Sequence, residues 1–285
     1  MRTKVQTLVV DGARLGGILH TPAEPATVGV LLVVGGPQYR VGSHRQFVLL
    51  ARDLAVAGIA VLRFDYRGMG DSDGEPRSFE QIDADLRAAI DALTESVPGL
   101  RDIAIWGLCD GAAAGLLYAG SDQRVTRLIL LNPWVRTDET LARAYVAEYY
   151  GRRILDPDFW RKLLLGQVRI GESLRSFLSM LRRTLGAGRA VPDAGGAAQG
   201  ATTGELLPER LRRALAAFRG RTFIILSGRD LTAGEFRDVA RTPGWQQLLK
   251  RTNVTQFTLD AADHTFSRRA WRDEVARRCA EWLRS

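Results

Sequence analysis

The chain has little sulfur and little imidazole. Of its 285 residues, two are cysteine (Cys109 and Cys279) and three are histidine (His20, His44 and His264). Two cysteines make no disulfide framework and supply too few thiolates for a structural zinc site. The histidines lack a metal-ligand spacing such as H-x-x-x-H, so no metal is expected. No apolar run reaches the ~18 residues that a membrane-crossing helix needs. The opening Met1-Arg2-Thr3-Lys4-Val5 runs straight into an alternating strand pattern, without the apolar stretch and cleavage site of a secretory signal. A cytoplasmic protein with both thiols reduced is therefore expected. No strand-like run is followed by G-x-G-x-x-G, which argues against a dinucleotide-binding dehydrogenase, and no cofactor is expected.

What is present is an ordinary globular composition, 46% hydrophobic and 25% charged, in a length that suits one large domain with an insertion. Short, β-rich apolar runs occupy 5–10, 28–34, 59–64, 103–106, 128–131, 223–226 and 254–259. Most are continuous and bounded by Gly, Pro or Asp, the pattern of strands buried on both faces of a parallel sheet. Helical patterns alternate with them. Ser43-His44-Arg45-Gln46 and Ser78-Phe79-Glu80-Gln81 read as capping boxes opening helices to about 57 and 96, and Thr232-Ala233-Gly234-Glu235 reads as a third. This alternation predicts a doubly wound, mostly parallel α/β sheet.

Between 136 and 219 the alternation gives way to helical periodicity alone, with helices expected near 139–150, 157–165, 172–185 and 208–218. The stretch 186–204 is Gly/Ala-rich, 12 residues of 19, and is expected to be flexible. The predicted organisation is an α/β core over 1–135 and 220–285, interrupted by a helical lid over 136–219. The net charge of +8 lies almost wholly in this insertion: residues 136–221 hold 16 Lys+Arg against 9 Asp+Glu. A basic lid face could draw the protein weakly to an anionic membrane or an acidic glycan carrier. Nucleic-acid binding is not expected, because the basic segment matches no recognised fold and its aromatics sit at helical core spacing.

The chemistry concentrates at Gly107-Leu108-Cys109-Asp110-Gly111, set between an apolar strand and a helical run. That is a G-x-nucleophile-x-G elbow in its required strand–turn–helix context. The helix N-terminus favours a thiolate at Cys109, and the thiolate is the attacking form. Cys279 lies on an amphipathic C-terminal helix and reads as packing. A nucleophile needs a base, and the base needs an orienting acid. In enzymes with this elbow the chain order is nucleophile, acid, base. Asp230, after the next-to-last strand, takes the acid position, and His264, after the last strand, the base position. Asp230 could instead cap the helix that follows it; Asp263 and Asp260 are weaker candidates for the acid. One oxyanion donor is expected from the N–H of Asp110. The second is expected from Gly36 in the loop Gly35-Gly36-Pro37-Gln38, with Gln38 as fallback because Pro37 has no N–H. His44 and Arg45 are pocket-lining candidates, though capping or surface exposure suits them as well. The glycines of the loop 65–72 suit a tight structural turn beside the elbow.

Gly35-Gly36-Pro37, Asp65-x-Arg67-Gly68-x-Gly70-x-Ser72, the elbow and Asp263-His264-Thr265-Phe266 resemble the α/β-hydrolase superfamily throughout the non-lid chain. The elbow cysteine is similar to that of dienelactone hydrolases, whose triad is Cys-His-Asp. The block 35–46 together with Trp106-Gly107-Leu108-Cys109-Asp110-Gly111 resembles the exosortase A system-associated hydrolases. Those proteins occur in bacterial gene clusters for exopolysaccharide synthesis and protein sorting. Val34 departs from many esterases, which carry His before the oxyanion-loop glycines. That resemblance implies a setting and leaves the substrate open; the leading expectation is a hydrolase of an ester or thioester, acting on a small-molecule or lipid- or glycan-linked acyl substrate through an acyl-cysteine. An acyltransferase with the same triad, or a non-catalytic scaffold binding glycan or lipid, are the rival readings.

Overall fold

Asp11 and Gly12 have φ values of +50° and +82°. Two left-handed residues in succession make the turn whose twist matches a two-stranded ribbon. They join β1 (Arg2–Val10) to β2 (Ala13–Thr21) in an antiparallel hairpin paired without a break. β2 is absent from the strands expected above. Gly16, Gly17 and His20 interrupt its apolar pattern, and pairing on both sides overrides that weak local propensity.

The structure is a computed structural model that describes residues 1–36, 38–136 and 205–285. The lid helices expected between 137 and 204, the flexible piece 186–204 and the basic face lie outside the described residues. The described chain up to Val135 and from residue 205 onward belongs to one compact unit. Six further strands follow the hairpin: β3 (Val28–Val33), β4 (Ala60–Phe64), β5 (Asp102–Leu108), β6 (Val125–Leu131), β7 (Arg221–Ser227) and β8 (Val254–Leu259). The sheet order is β1-β2-β4-β3-β5-β6-β7-β8. β1, β2 and β4 pair antiparallel in turn, and every other pairing is parallel.

The apolar runs divide residue by residue between the two faces. Val30 and Leu32 enter one core layer with Val61, Ala104, Trp106, Ile129 and Ile225. Leu31 and Val33 enter the other, with Leu62, Phe64, Ile105, Leu128 and Leu130. The first layer is covered by α1 (Gln46–Val56), which buries Phe47, Leu50, Ala51 and Leu54 at the spacing of one helix face. α7 (Arg269–Arg284) completes that cover with Val275, Ala276, Cys279 and Leu283. On the opposite face lie α2 (Asp83–Ser96), α3 (Asp110–Ala119) and α4 (Leu207–Ala217). The sequence reading places α4 at the end of the lid; in the structure it buries Leu211 and Leu215 in this layer. α5 (Leu231–Ala240) and the unforeseen α6 (Pro243–Leu249) pack edge to face through Phe236 and Trp245.

The capping box expected at Ser43 does not form. His44 and Arg45 are both left-handed, with φ of 53° and 60°, and α1 begins only at Gln46. Ser43 instead donates its N–H to Gln38 Oε1 at 3.3 Å. Ser78 does act as a cap, accepting from Glu80 N–H at 3.3 Å. The third signal is shifted: the cap of α5 is Asp230 rather than Thr232.

The loop after β4 is fixed by buried charges. Asp65 is fully buried; it accepts from Arg40 N–H at 2.5 Å and pairs with the Arg40 guanidinium. Arg67 Nε donates to the equally buried Asp85 at 2.6 Å, and its Nη1 donates to Asp11 at 2.6 Å. Removing one member of such a pair strands the other, at a cost of about 3–5 kcal/mol.

Candidate active site

β5 runs through the middle of the sheet and stops where its neighbours stop. Its last residue, Leu108, lies opposite Leu131 at the end of β6. The next residue, Cys109, has φ 61° and ψ −124°, a conformation that non-glycine residues rarely adopt. The surroundings hold it there. Cys109 N–H donates to Leu131 O at 2.9 Å, and Cys109 O accepts from the N–H groups of Ala112, Ala113 and Trp134 at 3.0–3.2 Å. α3 starts immediately after. It approaches the strand so closely that a Cβ on Gly107 would lie 2.3 Å from Gly111 O. Glycine at 107 is thus a condition of the elbow.

His264 arrives from the loop between β8 and α7. Its Nδ1 lies 2.9 Å from Asp230 Oδ2. Cys109 lies within hydrogen-bond reach of the same imidazole. Burial pulls the His264 pKa down, but Asp230 and Cys109 outweigh it and push the value up to about 10. Asp230 is the mirror case. Burial would raise its pKa, while the hydrogen bond and charge of His264 and the N–H of Ala233 hold it below the usual carboxylate value. Asp230 also caps α5. The same Oδ2 that faces His264 accepts from Ala233 N–H at 2.9 Å. Asp263 turns elsewhere, accepting from Ser267 N–H at 2.9 Å and from the Ser267 hydroxyl. Asp260 is exposed.

One residue at the site escaped the sequence reading. Asn132, fully buried and left-handed at φ 43°, ties three strand ends together. Its Nδ2 donates to Ser227 Oγ at 2.8 Å and to His264 O at 3.0 Å, and its Oδ1 accepts from Ser227 N–H at 2.8 Å. Ser227 Oγ in turn donates to Asp263 O at 2.8 Å. The available signal was a single polar residue directly after the apolar run of β6 and before Pro133.

The oxyanion loop departs from expectation. Gly36 N–H, expected to be free for a substrate oxygen, donates to Asp110 Oδ2 at 2.8 Å. The second carboxylate oxygen, Oδ1, accepts from Gly111 N–H at 3.1 Å. Burial raises the Asp110 pKa, partly offset by these N–H donors. The carboxylate fits only because Gly35 has no side chain: a Cβ there would lie 2.0 Å from Asp110 Oδ1. Asp110 opens α3, so its own N–H stands at a helix N-terminus. Gln38 is partly buried and anchors the loop through Oε1. His44 and Arg45 are exposed, and His44 is within electrostatic reach of Asp263.

Among the described residues no helix is long and apolar enough to cross a membrane. The chain resembles, at 30% identity over 142 residues, a polyketide transferase, grgF, of a Penicillium species, covering 47% of this chain and 46% of that protein. It is 32% identical over 134 residues to the thiohydrolase apmlB of Arthrinium phaeospermum, covering 46% and 42% respectively. The chain thus spans less than half the length of these curated relatives. In structure it is similar to the Pyrococcus furiosus esterase Pf2001, with a TM-score of 0.65 at 17% identity over 99% of this chain and 90% of the other. That likeness establishes the α/β-hydrolase fold. The family of hydrolases described as serine aminopeptidase, S33, matches residues 28–185, from β3 through the elbow and beyond. Since this match takes in more than half of the sequence, the chain belongs to the serine aminopeptidase S33 family of α/β-hydrolases.

Proposed function

We propose that the protein cleaves an ester or thioester through an acyl-cysteine intermediate on Cys109. The observation that carries this reading is His264 standing between Asp230 and the Cys109 thiol. With the proton held on His264, the sulfur attacks the carbonyl carbon, and His264 gives that proton to the departing alcohol or thiol. Water then attacks the acyl-cysteine while His264 accepts one of its protons. The bond to sulfur breaks, the acid leaves and the thiol is regenerated. Asp230 orients the imidazole and stabilises its charged form, as the third member of such triads does. The family is named for serine enzymes, and this chain carries cysteine at that position. The sequence blocks around the oxyanion loop and elbow support a setting in bacterial exopolysaccharide and exosortase-associated metabolism.

Cys109→Ala and His264→Ala should each lower turnover of an activated ester by roughly 10⁴-fold or more. Mass spectrometry of the wild type mixed briefly with a slowly turned-over ester should find the acyl group on Cys109. Wild-type turnover by Cys109→Ala sinks the assignment. The relatives named as polyketide transferase and thiohydrolase support a second outcome, transfer of the acyl group to an alcohol in place of water. Product analysis with added acceptor alcohols separates transfer from hydrolysis.

A further inference from the structure

The elbow carries a carboxylate that the proposed mechanism leaves unused. Asp110 follows the nucleophile directly, and its side chain reaches back across the turn to the loop after β3. One oxygen accepts from Gly36 N–H at 2.8 Å and the other from Gly111 N–H at 3.1 Å. The loop and the first turn of α3 are thereby joined through one side chain. The fit is tailored. At Gly35 a Cβ would meet Asp110 Oδ1 at 2.0 Å, Leu108 O at 2.5 Å and Gly111 N at 2.8 Å. Gly36 itself is left-handed, with φ 62°. Such a loop has many alternatives open to it unless something holds it. No other side-chain hydrogen bond to residues 35 or 36 is found among the described residues.

Resting on the acyl-cysteine reading, the geometry points to Asp110 as the positioning residue of the oxyanion loop. Its carboxylate locks Gly36 against α3, and the oxyanion donors become the N–H groups of Asp110 and Gln38. Gly36 N–H already serves the carboxylate at ordinary hydrogen-bond length, so it has no proton left for a substrate oxygen. Pro37 has none to give, and the next donor along the loop is Gln38. Gln38 is anchored in turn through Oε1 to Ser43 N–H. A negative carboxylate close to a developing oxyanion would oppose it. The two N–H donors neutralise part of that charge, and burial favours the protonated form.

This role separates two reactions of the same sulfur. Acylation by an ester passes through a tetrahedral oxyanion and needs the loop donor in place. Alkylation by iodoacetamide displaces iodide at a saturated carbon, develops no oxyanion, and is indifferent to the loop. The test compares second-order rates of both at Cys109 in the wild type, Asp110→Ser, Asp110→Ala and Asp110→Asn. Serine keeps a short acceptor for the start of α3 but cannot span to Gly36, so it isolates the lock from the helix terminus and guards against a folding defect in alanine. The expected result is a loss of about 10²- to 10³-fold in acylation by p-nitrophenyl acetate for serine and alanine, the effect of losing one oxyanion donor. Alkylation should hold or rise, because a nearby negative charge has been removed. Asparagine, which restores an acceptor oxygen, should recover acylation to within about tenfold of wild type. Equal losses in both reactions, no loss in either, or asparagine no better than serine overturns the lock. Failure of the wild type to acylate at Cys109 while still alkylating there overturns the acyl-cysteine reading itself, and the lock with it.

Discussion

Replacing Gly107 by alanine tests whether close packing of β5 on α3 builds the elbow. The added Cβ would meet Gly111 O at 2.3 Å, Gly111 C at 2.4 Å and Ala112 N at 2.5 Å, where ordinary contact begins at 3.4 Å. All three obstacles are backbone, so no side chain can rotate away. The strand end and the helix start must separate by about 1 Å, which places the cost at the upper end of overpacking, about 3 kcal/mol. For a chain of this size that is a fall in Tm of roughly 6–12 °C. A 1 Å displacement of a reacting group can also cost about 10²-fold in rate. Gly120→Ala, just past the other end of α3, is the control. Its φ is −70° and nothing lies within 4 Å of a new Cβ. Less freedom in the unfolded chain should then stabilise the protein by about 0.4–1 kcal/mol. Urea unfolding followed by fluorescence, with the slope checked for two-state behaviour, measures both, and ester turnover reports the elbow. If Gly107→Ala unfolds within 1 kcal/mol of wild type and keeps its turnover, the packing argument fails.

Brief iodoacetamide treatment should label Cys109 well before Cys279, which is fully buried with its thiol pushed up to about 12 by burial; preferential label on Cys279, read by mass spectrometry, refutes this. Asp230→Asn should keep the cap of α5 and most of the stability while lowering turnover, whereas Asp230→Ala should lose about a further 1 kcal/mol on denaturation. His264 has its pKa raised above 6.5, so its contribution to stability is complete below pH 6.5 and lost as pH rises through about 10. The stability gap between wild type and His264→Gln should close over that window, and a gap that widens is the contrary result. His20 behaves in the opposite sense. Burial, then the charge of Arg63, lower its pKa to about 4, and its Nε2 accepts from Arg63 Nε at 3.2 Å. Its stabilising contribution is therefore present above pH 6.5 and lost as pH falls toward 4, and His20→Gln should flatten that part of the acid unfolding curve.

The central strands were legible because apolar residues buried on both faces leave a continuous run, as 28–34 and 103–106 do. β2 was hidden by Gly16, Gly17 and His20, although Asp11-Gly12 between two extended segments already announced a hairpin. That Cys109, Asp230 and His264 come together was readable because each sits just past a strand end on one edge of the sheet. The side chain of Asp110 was not, since its turn toward Gly36 depends on how near the loop after β3 comes to α3, and local sequence does not encode that distance. Ser43 misled for a related reason. Its spacing to Gln46 fits a capping box, yet contacts of the loop 38–47 hold His44 and Arg45 left-handed. The loop is pinned by Gly42 N–H to Tyr39 O at 2.8 Å and by Phe47 N–H to Val41 O at 3.2 Å. Asn132 escaped because a buried polar hub is defined by its partners, and two of them, Ser227 and His264, lie about a hundred residues or more away in sequence.

The pairing of β6 with β7 joins Leu131 to Ile225 across the whole inserted segment. Lengthening that loop from roughly 20 residues to 90 is about two doublings, an entropic cost near 1.2 kcal/mol, so the sheet tolerates a large insertion at small thermodynamic expense. The order of synthesis is affected more. At typical rates of chain growth, Cys109 leaves the ribosome roughly 8–30 s before His264. Under the proposed mechanism, the sulfur is without its base for the whole of that interval. On that reading, the nascent chain gains its reactivity toward esters and thioesters only once its last strand has joined the sheet.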